Sequence, residues 1–158
     1  MEKPISAARP FGTAENDCPR KDGEMAKTNP VSEFLKERGC PKHVVRGGLK
    51  GLVENWESVV ECVVEGYSLG LDDYLNDMDG RQLLEEALAV APAREKGMYA
   101  DRLRRADALM KKAAVPAGRC LWGDEVAEAE GWSSRKNWWY FMKPLEAGRE
   151  LLAEIDNL

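Results

Sequence analysis

The chain has 158 residues, 44% of them apolar and 32% charged, with a formal net charge of −5. A chain of this size supports one domain burying about 68–70% of its unfolded surface without staples, and the composition excludes both a strongly basic nucleic-acid binder and a chain too polar to fold. A single histidine, His43, rules out every His-His metal motif within one chain and confines imidazole chemistry to one position.

Residues 1–28 carry Pro4, Pro10 and Pro19, five bases and five acids, and almost no apolar periodicity. That pattern does not repay its ordering entropy, so a disordered N-terminal tail is expected ahead of a single helical domain over 29–158. Met25 leads directly into the first helix signal and is a candidate translation start. No window approaches a membrane span and the first thirty residues hold no apolar core of a secretory leader, so a cytoplasmic protein is expected. The four cysteines, Cys18, Cys40, Cys62 and Cys120, are scattered, which favours reduced thiols.

Asn29-Pro30 predicts an N-cap followed by proline at the first helical position, with Val31, Phe34 and Leu35 as the apolar stripe and Gly39 as the stop. A long helix is then predicted over Pro41–Gly66. Val45, Leu49, Leu52, Val53, Trp56, Val59, Val60, Val63, Val64 and Tyr67 recur in it at three- and four-residue steps, making one continuous spine. Gly47, Gly48 and Gly51 lie in its early turns, where close approach of a neighbouring helix is the expected reason; the basic Arg46-Gly47-Gly48-Leu49-Lys50-Gly51 run lacks the preceding strand of a phosphate loop.

Over 71–91 a short helical turn from Asp72 to Met78 is predicted. Asp79 then acts as N-cap with Gln82 three residues on, a capping box opening Arg81–Val90. From Ala93 to Ala114, Tyr99, Leu103, Ala106, Met110 and Ala113 mark one face of a helix. Residues 71–91 hold six acids and one base, whereas 93–120 hold eight bases and three acids. These consecutive helices are therefore expected to pack antiparallel with their charges answering each other.

A loop at Pro116-Ala117-Gly118 and a short acidic helix over Asp124–Glu130 follow. Trp132, Trp138, Trp139, Tyr140 and Phe141 place five of the twelve aromatics within eleven residues, with one short strand allowed near 138–142. Pro144 is expected to open a final helix through Leu145, Leu151, Leu152 and Ile155. The fold class is thus mainly α: an irregular bundle of five to seven helices around one long central helix.

No strong catalytic motif is present, and the favoured function is a small non-catalytic protein-interaction or regulatory module. Its expected contact surfaces are the aromatics Trp132, Trp138, Trp139, Tyr140 and Phe141, because such rings bury large rigid area at low entropy cost, together with the acidic 71–91 segment. A protein partner or a second copy of the chain fits this reading; nucleic acid and membrane do not. Two alternatives stand beside it. Cys40 at the expected N-terminus of the long helix, with His43 three residues on, has the form of an activated thiol for a small enzyme or redox sensor. Metal binding is the other. Cys40 and His43 with Cys62 and Cys120 offer zinc-type ligands, and Asp77, Asp79, Gly80 and Glu86 match part of an EF-hand loop that lacks its first ligand, since Leu75 stands there. The primary reading requires no cofactor.

Overall fold

A computed structural model describes residues 29–158; the expected tail and the Met25 start lie outside the described residues. Six α-helices and a two-stranded sheet are present among them, as the apolar periodicity requires. Helix α1 spans Pro30–Glu37, and the Asn29 side chain caps it by accepting from the Val31 and Ser32 backbone N–H groups at 2.8 and 3.2 Å. It ends in a Schellman turn. Gly39 takes φ +77°, its N–H donates to the Lys36 carbonyl, and the Cys40 N–H reaches back to the Leu35 carbonyl at 3.1 Å.

Helix α2 spans Lys42–Glu65, but it is not the single rod that the valine spacing implies. Gly48 sits at φ +59°, ψ −152°, which breaks α2 into a short first limb and a main limb beginning at Leu49. Only glycine enters that region of backbone space without strain. The main limb buries Leu49, Leu52, Val53, Trp56, Val59, Val60 and Val63. Tyr67 lies beyond the helix, in a parallel bridge with Ala147. Close helix approach is not the reason for the early glycines either: a Cβ on Gly47, Gly48 or Gly51 would meet nothing within 4 Å. The close approach occurs on α3, where a Cβ on Gly80 would lie 3.2 Å from Asn55 Nδ2.

Helix α3, Leu71–Val90, is continuous, so the expected break and capping box at Asp79 do not exist. Asp79, Arg81 and Gln82 are interior residues of this helix and are buried. Helix α4, Ala93–Lys112, follows after Pro92, and α3 and α4 meet through side chains such as Arg81 and Asp107 without packing backbone to backbone. Each packs chiefly on α2. The charges are answered accordingly: Arg102 of α4 pairs with Glu57 of α2 at 2.7 Å, and the one base of α3, Arg81, pairs with Asp107 of α4.

Strand β1, Ala114–Pro116, pairs antiparallel with β2, Met142–Pro144, with Val115 opposite Lys143. The acidic helix α5 spans Asp124–Glu130 as predicted and stops at Gly131, φ +75°. The aromatic run is a 3₁₀ turn over Trp138–Phe141 leading into β2, so the strand lies just past its expected place. Pro144 closes that strand and does not open a helix; α6 begins at Arg149 and runs to Asp156, burying Leu151 and Ile155. Among the described residues no helix is long and apolar enough to cross a membrane.

Candidate functional site

The polar residues buried on α3 form a network that joins it to the C-terminal aromatics. Asp79 is 4% exposed and accepts from the Tyr140 hydroxyl at 2.6 Å and from Trp122 Nε1 at 3.0 Å. One turn on, Gln82 accepts from Asn137 Nδ2 at 3.0 Å and donates to Glu86 at 2.7 Å; Glu86 in turn pairs with Arg38 at the end of α1. Arg81 points toward α4, where its Nε and Nη2 engage the Asp107 carboxylate at 3.2 and 2.9 Å while Nη1 meets Glu85 at 2.9 Å. Its guanidinium lies 4.4 Å from the Trp139 ring centroid and 5.8 Å from that of Trp56. A buried cation is tolerable because a planar fork can be paired and stacked at once.

This arrangement removes most of the aromatic docking surface. Trp139 and Tyr140 are fully buried and Trp132 nearly so, stacked on Tyr140 at 4.1 Å; only Trp138 and Phe141 stay partly exposed. Trp138 packs edge-on against Trp56 and Trp139, with Lys111 over its ring. Of these aromatics Trp139 stacks on Arg81 and Tyr140 bonds Asp79.

Burial raises the Tyr140 hydroxyl far above its ordinary value, and the Asp79 carboxylate beside it acts in the same direction. Tyr140 therefore stays a hydrogen-bond donor to Asp79 and not a base. Asp77 accepts from the Tyr67 hydroxyl at 2.6 Å; burial raises its carboxyl and that bond partly offsets the rise.

Cys40 is not the N-cap of α2, a place held by Pro41. It closes the Schellman turn of α1 and packs half-buried against the core, as the apolar residue of such a turn does. Burial pushes its thiol up, with Arg38 pulling weakly the other way, so the expected lowering by a helix terminus is absent. His43 is exposed on the first limb of α2. Cys62 is exposed on α2 and Cys120 is buried near the sheet, and among the described residues no three His, Cys, Asp or Glu side chains gather as a metal site. Asp77, Asp79 and Glu86 lie within one continuous helix and engage Tyr67, Tyr140 and Arg38 respectively, so no EF-hand loop forms.

The feature that residue spacing left out lies on the opposite side of α2. Two adjoining cavities of about 510 and 340 Å³ run between α2 and α4. Val64 and Leu109 line both, and Leu145 lines the second beside Lys112 and Glu146. These three apolar side chains are 49, 50 and 54% exposed. Glu57 and Glu61 stand on the α2 wall, Arg102 and Arg105 on the α4 wall. A readable sign did exist: Leu109 falls off the apolar stripe of α4.

Compared with known proteins, the chain matches no family model, no curated sequence and no solved structure. The geometry is the guide to function.

Proposed function

We propose that the chain is a small non-catalytic protein-interaction or regulatory module of the cytoplasm, and that it meets its partner along the groove between α2 and α4. The observation that carries this reading is contiguity: Val64, Leu109 and Leu145 are all about half exposed and converge on two joined cavities with a charged rim. Apolar side chains scattered singly over a surface need no explanation, whereas apolar groups gathered in a concave, charge-rimmed face mark a contact site. Helix α4 adds support, since it buries only Ala106 and Met110 of its twenty residues. The unpaired thiols Cys40, Cys62 and Cys120 support the cytoplasmic element of the reading. The thiol-enzyme alternative gains nothing from a Cys40 whose thiolate is disfavoured by burial.

A photo-crosslinking residue placed at Leu109, in cells that make the protein, tests the proposal. A discrete adduct is expected, absent when the crosslinker stands at Glu128 on α5 and lost when Val64→Asp is added. No adduct from positions 64, 109 or 145 overturns the proposal.

A further inference from the structure

The occupant of the groove is, we infer, a second copy of this same chain, related by a two-fold axis that runs along the groove. This rests on the reading of the α2/α4 face as a contact surface and adds the identity of what covers it. The walls of the groove carry opposite charge: Glu57 and Glu61 on α2 face Arg102 and Arg105 on α4. Glu57 is answered by Arg102 at 2.7 Å. Glu61 and Arg105 line the same cavity and are both exposed; Arg105 adds to the field that holds the Glu57 carboxyl down, yet neither Glu61 nor Arg105 makes an ion pair within 4.0 Å among the described residues. A ligand of one sign would satisfy one wall and be repelled by the other.

The two helices also keep step. Arg102 pairs with Glu57, and seven residues further along each helix Leu109 shares both cavities with Val64. Seven residues are about two helical turns, so α2 and α4 run in the same direction with matching levels. A copy rotated about an axis parallel to the groove keeps these levels and exchanges its walls. Glu61 of each copy then meets Arg105 of the other, so the ion pair forms twice, and Val64 meets Leu109 of the other copy, as an isologous interface demands. Rotation about an axis across the groove would set acid on acid and base on base. The charge pattern thus selects one of the two geometries.

Sedimentation velocity on the full chain from about 1 to 100 μM, a range that spans affinities typical of weak homodimers, tests the inference. The wild-type chain is expected to pass from monomer to dimer. Glu61→Arg and Arg105→Glu, both at exposed positions that leave the helical spectrum unchanged, are each expected to weaken the dimer at least about tenfold, because each sets like charges together twice. An equimolar mixture of the two variants is expected to dimerise again, since the arginine introduced at position 61 of one chain meets the glutamate introduced at position 105 of the other while the remaining native pair is intact. Repair of contacts within one chain cannot produce that recovery. A wild-type chain that stays monomeric over the range, or a mixture as monomeric as its components, overturns the inference. A monomer that still gives the Val64-dependent adduct from Leu109 removes the second copy as occupant and leaves the contact surface standing; loss of both results removes both.

Discussion

Arg81 carries a full charge at a side-chain exposure of 4%, held by Asp107, Glu85 and the Trp139 ring. Its replacement by Met keeps the length and removes the charge, leaving Asp107 with the Trp56 Nε1 hydrogen bond at 2.8 Å but no cation to answer it. Breaking a buried pair from one side costs about 3–5 kcal/mol; the partial exposure of Asp107, 19%, places the expected loss near the lower end. Urea unfolding at unchanged slope measures it. The tyrosines make a second prediction at this scale. Burial raises the hydroxyls of Tyr67, Tyr74 and Tyr140, and hydrogen bonds to Asp77 and Asp79 raise Tyr67 and Tyr140 further. A folded value above the unfolded one means that the unfolded chain gives up these protons first. Their contribution to stability is therefore complete below pH about 10, where unfolded tyrosine titrates, and is lost as pH rises beyond it. Phenolate absorbance from these three residues is expected to rise together with loss of helical circular dichroism, and titration of all three ahead of unfolding would contradict it. Arg81 was partly visible in the sequence as the one base among six acids over 71–91. Its acid partner was not, because Asp107 belongs to the next helix and the meeting depends on how both cross α2.

At the scale of the element, α2 shows how a correct periodicity conceals a break. The spacing from Leu49 to Val63 is helical throughout, and Val45 fits the same stripe across Gly48, so nothing in the pattern marks the change of direction. The mark is conformational, and three glycines compete for it. Gly47→Ala and Gly51→Ala replace helical glycines in open space and are expected to stabilise the protein by about 0.5–1 kcal/mol each. Gly48→Ala forces a side chain into a backbone region essentially reserved for glycine and is expected to cost about 1–3 kcal/mol. Equal effects at all three positions in thermal or urea unfolding would place the break elsewhere. Helix α3 misleads in the other direction. Its capping-box residues Asp79 and Gln82 have the right spacing for a helix start, but they are consumed by Tyr140, Trp122 and Asn137, residues some forty to sixty positions away. Local chemistry and long-range chemistry use the same side chains, and spacing cannot separate them.

For the whole molecule, the helical class, the ends of α1 and α5 and the seven buried positions of the α2 main limb were legible because each follows from short-range periodicity and capping. The α2/α4 groove was not, because the spacing of Val64 and Leu145 reads as core, Leu109 falls off the α4 stripe, and the three meet only in three dimensions. The aromatic run drew attention for its composition and belongs to the interior, where Trp139 and Tyr140 close over α3. That closure has a consequence for biosynthesis. Helix α3 has no simple apolar face; its buried Asp79 and Gln82 find Tyr140 and Asn137 only when the chain is more than fifty residues longer. A nascent polypeptide still tethered to the ribosome after Gly131 lacks the Tyr140 and Asn137 bonds to these groups, and buried polar groups that lose hydrogen bonds are costly. Chains terminated at Gly131 are accordingly expected to keep helical far-ultraviolet dichroism, lose near-ultraviolet signal and bind a hydrophobic dye, the signature of collapse without fixed packing. Fixed packing during synthesis thus waits for the segment holding Asn137 and Tyr140 to be translated, which makes the molecule's integrity sensitive to stops that precede it.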